Sequence, residues 1–448
     1  MTFKDTGRAM KILVLTNHLS AFGGSEIVAV EVADVFSRIG CDVSIYSAYI
    51  NNPIRSYMDE VGLKYGAIEE CPNPETFDII WSQHHLLPYL LAKYGTESVR
   101  SVFLVNASLS PYEPLEIPGA IAEVADIIVA NSPETAERLT GLGISGDKVL
   151  VFYNSAPEIF DITRESAPEL RRALIISNHM PDEVAGAATI LRERGLTVDH
   201  IGLPFQQKRI TPEIITSYDS VIAIGKSVQY SILCETPIYI YDRFGGPGWL
   251  NEANFLEAEE YNFSGRCCRR QILPQEIANE LLYGYPEATL SIRAVKRAHS
   301  EKYHLQKYLL QVIERASNKI DNEYIRHIKR SVSNIIYREG SMCYKLMALY
   351  NTTQNQSSDI ARLVSRMGKL SSEVEYLSQQ ISEMESARED TIRFHQEVCV
   401  LKEKEIIDKN ANIGQLEEKL LEIENSRSWK ITKPLREINK ILSRKKTK

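Results

Sequence analysis

From Lys11 to about Phe160, short apolar runs alternate with amphipathic stretches: Ile12 to Leu15, Val43 to Tyr46, Ile79 to Trp81, Val102 to Val105, Ile127 to Ala130 and Val149 to Phe152. These runs lack strict in/out alternation and are separated by helical segments, the pattern of a parallel sheet covered on both faces. Residues 1–160 are therefore expected to form a Rossmann-like α/β domain. The pattern restarts at Ala173 to Ile176, Thr197 to Ile201, Val221 to Ile224 and Ile238 to Tyr241, with helices such as Glu183 to Arg194 between them. That predicts a second, smaller α/β domain over 161–285, closed by Tyr285-Pro286. A chain of 448 residues, 44% of them hydrophobic, has room for roughly two or three such cores.

Ala288 to about Tyr350 reads as helix and Asn351 to Ser358 as a polar linker, giving a helical extension over 286–357. Beyond it Leu363, Met367, Leu370, Val374, Leu377, Ile381 and Met384 alternate at spacings of four and three, the seam of a coiled coil over 358–425. The repeat weakens at Arg388, Thr391 and His395. It resumes at Ile406, Ile413, Leu416, Leu420 and Ile423 with a four-residue stutter that locally unwinds the supercoil. A self-associating coiled coil and a single long helix folded back on the body both fit this pattern; the steady phase of the first block favours a homo-oligomer.

The net charge of −7 hides an asymmetry. Arg427, Lys430, Lys433, Arg436, Lys440, Arg444, Lys445, Lys446 and Lys448 stand against Glu437 alone, so 426–448 carries +8 and the remainder −15. Trp429, Leu435, Ile438, Ile441 and Leu442 are interspersed with these cations and suit docking on an anionic membrane face; a solvated basic end is the alternative. A basic tip on an acidic body does not fit a protein that coats nucleic acid. Seven cysteines without CxxC spacing read as reduced thiols in cytosol, and the adjacent pair Cys267-Cys268 is poor geometry for zinc. No run approaches the ~18 apolar residues a spanning helix needs, and the polar start Thr2 to Arg8 does not read as a signal peptide. The expected location is the cytoplasm, at most at the inner face of the cell membrane.

Open parallel sheets bind ligands at the carboxyl ends of their strands. Those ends carry Asn17, His18 and Gly23-Gly24, then Gln83-His84-His85, and in the second domain Ser177-Asn178-His179, Gly225-Lys226-Ser227 and Asp242 to Gly248. The run Phe22-Gly23-Gly24-Ser25-Glu26 between a strand and a helix either holds a phosphate on backbone N–H groups at a helix N-terminus or is an ordinary tight turn. Lys226 can neutralise a diphosphate leaving group, Gln229 and Tyr230 sit at the start of the next helix within reach of a donor, and Gly245-Gly246 permits close backbone approach. His84 and His85 end a strand at the expected cleft, and His85 is the candidate for acceptor binding or proton transfer.

Gly23-Gly24-Ser25-Glu26, Ala130-Asn131-Ser132-Pro133-Glu134-Thr135 and Tyr153-Asn154-Ser155 resemble the N-terminal half of GT-B glycosyltransferases of the family 4 type. More specific is Ile224-Gly225-Lys226-Ser227-Val228-Gln229-Tyr230, followed by Thr236-Pro237, Tyr241 to Gly248 and Asn262-Phe263-Ser264-Gly265-Arg266. With Leu109 to Glu116, it looks like a bacterial subgroup used in surface-polysaccharide assembly. The similarity covers about residues 11 to 270, and Ser426 to Arg436 resembles a short element at the ends of such enzymes.

The resemblance implies a GT-B fold, two Rossmann-like domains facing a cleft, with an N-terminal acceptor domain and a C-terminal donor domain. It implies a transferase that moves a sugar, with retention, from a nucleotide-diphosphate sugar to a glycan or lipid-linked acceptor. Donor-side residues are then Gly23, Gly24, Lys226, Gln229, Tyr230, Asp242, Gly245 and Gly246; His84, Ser110 and Glu113 lie on the acceptor side. No tightly bound cofactor or metal is expected, since the chain has no Asp-x-Asp triplet. The sequence departs from the family where two glutamates usually stand, with Ile222 and Tyr230 there, and where an Arg and Lys pair is usual, with Ser177-Asn178-His179. A non-catalytic nucleotide-sugar-binding scaffold that recruits assembly enzymes through its coiled coil is the rival reading.

Overall fold

The computed structural model describes residues 8–113, 116–202, 208–319, 332–349, 351–353, 356, 363, 366 and 392–425. It divides into a body, residues 1–347, and a second unit, residues 348–448.

In the body's first domain, strands β1 (Lys11–Leu19), β2 (Asp42–Ile50), β3 (Lys64–Ala67), β4 (Ile79–Gln83), β5 (Phe103–Ser108), β6 (Ile127–Ala130) and β7 (Val149–Val151) form one parallel sheet in the order β3-β2-β1-β4-β5-β6-β7. Helices α1 (Gly24–Arg38), α2 (Ile54–Val61), α3 (Leu86–Tyr94) and α4 (Pro133–Gly141) connect them. The strand order reverses between β1 and β4, so a crevice opens beyond their carboxyl ends. The second domain orders β12-β11-β10-β8-β9, with β8 (Arg172–Ile176), β9 (Thr197–Ile201), β10 (Ser220–Ala223) and β11 (Ile238–Asp242) parallel and β12 (Gly245–Trp249) antiparallel. Its helices are α5 (Asp182–Glu193), α6 (Pro212–Thr216), α7 (Lys226–Leu233), α8 (Phe255–Glu260) and α9 (Pro274–His299). Its switch point lies between β8 and β10, at Ser177 and Gly225. Two Rossmann-like domains facing a cleft is the GT-B arrangement.

The chain crosses between domains twice. It leaves the first after β7 and returns through α10 (Leu305–Ser317), whose Leu305, Leu309, Val312 and Ile313 join the core of α1, β1 and β2. The two crossings pair as a bridge: Ala156 N–H donates to the Tyr303 carbonyl at 2.7 Å and Leu305 N–H to the Ala156 carbonyl at 2.9 Å. The second domain therefore ends near His299. Tyr285-Pro286, the expected closing point, lies inside α9, with Tyr285 buried and Pro286 on the exposed side where its missing N–H costs least.

A further helix, α11 (332–349), packs on the first domain, with Ile336, Cys343 and Met347 buried. Glu339 accepts the Ala120 N–H at 3.0 Å, and Tyr344 stacks on Tyr89 with ring centroids 4.7 Å apart. In the second unit, residues 351–353 are helical where a linker was expected. The Thr352 and Thr353 hydroxyls donate to the carbonyls of Ala348 and Leu349, at 2.9 and 3.0 Å, so both polar side chains are satisfied within the helix. Of the expected coiled coil, the first block lies almost wholly outside the described residues. The second lies on α12 (Ile392–Asn425), where Ile406, Ile413, Leu416 and Leu420 are partly buried while Ile407 and Leu421 are exposed. The basic tail also lies outside the described residues.

Candidate functional site

The carboxyl ends of both sheets face one cleft of about 650 Å³. The first domain contributes Gly23, Gly24 and Glu31 of the β1–α1 turn and helix, with Glu113 and Glu116. The second contributes Ser177 to His179, Gly225 to Ser227, Tyr230, Asp242 and a group of cations, Lys208, Arg209, Arg243 and Arg266. The helices α1 and α7 both begin at its wall, so the positive dipole ends of two helices lie at it. The glycine turn and Lys226 thus line the same cleft.

Their partners differ from those expected. The Glu26 carboxylate, in the first turn of α1, accepts N–H groups from Ser20 at 2.7 Å, Ala21 at 3.0 Å and Gly23 at 3.2 Å. It fills from within the protein the amide nest that a phosphate was expected to use. Burial pushes the Glu26 carboxyl upward, against the pull of those donors. The helix start at Gly24 remains on the cleft, where a Cβ would meet nothing within 4 Å. Gly24→Ala is therefore expected to leave the melting temperature within a degree or two of wild type, so any loss of nucleotide-sugar affinity by calorimetric titration reports ligand contact at this turn.

Lys226 is only 9% exposed; its Nζ lies 2.9 Å from Glu31 Oε2 and donates to the Ser155 carbonyl at 2.8 Å. Gln229 donates to the Tyr153 carbonyl at 3.0 Å, and the Tyr230 hydroxyl to Glu31 Oε1 at 2.5 Å. Burial, then the Glu31 charge, pushes the Tyr230 hydroxyl far above its ordinary value, so it stays protonated and donating. Tyr230 also stacks on Phe160 with centroids 4.0 Å apart. Tyr153 and Asn154 are left-handed, at φ +54° and +49°, and α7 satisfies the carbonyls of this strained crossing. The set expected on the donor thus fastens the second domain to α1 and to the crossing. Arg266 and Glu134 of α4 form a second fastening, paired through two bonds of 2.7 and 3.2 Å.

Asp242 also serves the chain: it accepts the Phe244 N–H at 2.8 Å, the Ser264 hydroxyl at 2.7 Å and the Gly265 N–H at 3.1 Å, while its edge faces the cleft. Gly245 and Gly246 do not line the cleft. A Cβ on Gly245 (φ +95°) would sit 2.0 Å from the Arg270 carbonyl oxygen, and one on Gly246 2.0 Å from that of Ile240. These glycines are required by chain packing, not by donor approach. Gly246→Ala should consequently destabilise the body by several kcal/mol, checked as a fall in the urea midpoint or as insoluble protein.

In the first domain, His84 is buried at φ +60° and is not itself among the cleft-lining residues; Asn17 N–H donates to its Nδ1 at 3.2 Å. That leaves Nε2 as donor to Glu116 Oε1, 3.0 Å away, while Glu116 Oε2 accepts the Leu109 N–H at 3.1 Å. Glu116 lines the cleft and Glu113 lies beside it; Ser110 instead caps the local turn, accepting N–H groups from Tyr112 and Glu113. His85 precedes α3 and is not among the cleft-lining residues. His18 stacks against His84 with centroids 5.9 Å apart, and burial, helped by His84, lowers it to about 4. Its unfolded-state value near 6.5 is higher, so the unfolded chain binds the extra proton and stability falls as pH drops from about 6.5 to about 4. A His18→Gln protein should show a shallower decline of urea midpoint across that window.

Glu26, Glu31 and Glu116 escaped the sequence reading. Glu31 had a legible signal, an acid inside Val28-Ala29-Val30-Glu31-Val32-Ala33, which is buried only if partnered. Among the described residues no group of three His, Cys, Asp or Glu is arranged to hold a metal, and no helix is long and apolar enough to cross a membrane. Cys41, Cys71, Cys234, Cys267, Cys268 and Cys343 are free thiols.

No family model and no curated protein matches the chain. Among solved structures, HepE from Anabaena, in complex with UDP-glucose, aligns over 69% of this chain and 100% of its own at 13% identity, with a TM-score of 0.48. A glycosyltransferase from Rickettsia africae aligns over 70% of this chain and 100% of its own at 12% identity and a TM-score of 0.46. A UDP-GlcNAc 2-epimerase from Neisseria meningitidis, bound to UDP-GlcNAc, aligns over 68% and 100% at 11% identity and 0.41. These likenesses are of general architecture.

Proposed function

We propose that this chain is a glycosyltransferase that moves a sugar from a nucleotide-diphosphate sugar to a glycan or lipid-linked acceptor in bacterial surface-polysaccharide synthesis. The observation that carries the reading is the pair of helix N-termini, α1 and α7, that line one cleft from opposite domains beside Lys208, Arg209 and Arg243. A leaving diphosphate gains charge as the sugar departs, and N–H dipoles and cations at that point stabilise it. In this reading the helix starts at Gly24 and Gly225-Ser227 hold the diphosphate, and the cations do the neutralising first assigned to Lys226. Glu116, oriented by His84, takes the acceptor-side role first given to His85, by accepting a hydrogen bond from the incoming hydroxyl. Retention of configuration belongs to the same proposal on the strength of the sequence resemblance, self-association through 358–425 on the strength of the heptad phase, and membrane contact through 426–448 on the strength of the apolar residues interspersed with cations.

The scaffold reading keeps one specific support: Lys226, Gln229 and Tyr230 are committed to holding the domains together. Both readings expect nucleotide-sugar binding, and a thermal-shift screen tests it, because a ligand at 100 times its Kd stabilises the folded state by about 2.7 kcal/mol. Turnover separates them. Release of nucleoside diphosphate with product formation on an acceptor panel supports the transferase, tight binding without turnover supports the scaffold, and no shift with any nucleotide sugar removes both.

A further inference from the structure

The cleft is electrically divided. Among the described residues that line it, every cation, Lys208, Arg209, Lys226, Arg243 and Arg266, comes from the second domain, whose one acid there, Asp242, is held by three donors of its own chain. The first domain lines it with three carboxylates, Glu31, Glu113 and Glu116, and with no cation. Glu31 is matched by Lys226 at 2.9 Å, whereas His84, which accepts the Asn17 N–H on Nδ1, meets Glu116 as a neutral donor and brings it no positive charge. A phosphate brought to that wall would face Glu113 and Glu116 without a counter-charge, and like charges set together are strongly disfavoured. Uncharged hydroxyls find acceptors there.

Next to Glu113 stands an aromatic ring that the body leaves open. Tyr112 is 62% exposed, yet its hydroxyl donates to Glu134 Oε1 at 2.8 Å, its backbone N–H to the Ser110 hydroxyl at 3.3 Å, and the Arg266 guanidinium lies 5.5 Å from its ring centroid. Glu134 and Arg266 are themselves paired between the domains, so the ring is mounted on that fastening at the edge of the cleft. An exposed ring held in advance loses little freedom when a ligand covers it, and the C–H groups of a pyranose pack on an aromatic face while its hydroxyls reach neighbouring acceptors. We infer that, within the sugar-transfer reading on which this rests, the acceptor is a sugar ring seated on Tyr112 with its hydroxyls at Glu113 and Glu116, and not the phosphate of a bare lipid carrier. The new bond joins C1 of the donor sugar to a hydroxyl oxygen of that ring as the bond from C1 to the diphosphate breaks; the electron pair leaves with the diphosphate and the hydroxyl proton passes to Glu116. An earlier transfer must then have placed a first sugar on any carrier before this protein acts.

The test uses the full-length protein saturated with UDP, and saturation-transfer NMR reads binding of a panel of methyl hexosides and methyl N-acetylhexosaminides whether or not turnover follows. At least one glycoside should receive saturation at its ring protons, Tyr112→Ala should weaken it about tenfold, and Tyr112→Phe, which keeps the ring, should stay within about threefold of wild type. With UDP-glucose, UDP-galactose, UDP-N-acetylglucosamine and GDP-mannose as donors, farnesyl phosphate should yield no glycosylated product. A thermal shift measured with the same four donors should be equal in wild type and Tyr112→Ala, since the ring lies on the acceptor side. No glycoside bound, a glycoside bound equally well by Tyr112→Ala, or sugar transferred to farnesyl phosphate overturns the inference alone while the donor shift stands. Loss of the donor shift in wild type removes the sugar-transfer reading and this inference with it.

Discussion

Glu31→Ala is expected to destabilise the body by about 3–5 kcal/mol, the cost of leaving one member of a buried ion pair without its partner. Glu31 is 4% exposed and Lys226 9%, and the same carboxylate takes the Tyr230 hydroxyl, so truncation strands a cation and a phenol together. Lys226→Ala should behave similarly. Loss of activity in that variant therefore cannot be read as loss of a diphosphate ligand unless folding is measured beside it. A double variant, Glu31→Leu with Lys226→Met, removes both charges and should recover most of the loss, since apolar replacement of a buried pair is often neutral. Urea titration of the two single variants and the double gives the coupling energy directly. Single-variant losses under about 1 kcal/mol, the range of exposed pairs, would mean that the fastening is loose in solution and Lys226 is available to a ligand.

The second large effect is on turnover. Glu116→Gln keeps the size of the side chain and its acceptor oxygen for Leu109, but places an amide against the His84 donor. Transfer to acceptor is expected to fall roughly 10²-fold or more, in the range typical of a positioned acid–base or hydroxyl-orienting group, while nucleotide-sugar affinity stays within about twofold. His85→Gln should cost much less. Comparable losses in both variants, or a Glu116→Gln enzyme of wild-type rate, would remove Glu116 from the acceptor side.

Much of the architecture was legible because burial on both faces leaves an unmistakable pattern. The runs at Ile12 to Leu15, Ile79 to Trp81 and Val221 to Ile224 became β1, β4 and β10, since a strand covered by helices on both sides needs apolar residues throughout. The glycine turn was placed correctly at the head of α1. What the sequence could not convey was occupancy. Glu26 and the N–H groups it takes lie three to six residues apart, but whether a carboxylate or a ligand sits in the turn depends on a rotamer, not on spacing. Lys226 and Glu31 are nearly two hundred residues apart, so their meeting is a fact of domain closure. Gly245 and Gly246 misled for a related reason: a glycine admits close approach of any backbone, and here the approaching backbones are Arg270 and Ile240. Pro286 marked an apparent end, yet a proline on the outer side of a long helix forfeits one bond without ending it.

The return of α10 into the first core binds the order of manufacture to the order of assembly. A ribosome that has released residues 1–160 has made every strand of the first sheet, but not the Leu305, Leu309 and Val312 that shield α1 from water. The amino-terminal half must wait, with an oily flank uncovered, until its neighbour has been synthesised. Grafting that half alone onto a foreign carboxyl-terminal half would carry the same defect, so new specificities reached by exchange of lobes would need the returning helix to travel with the lobe it completes.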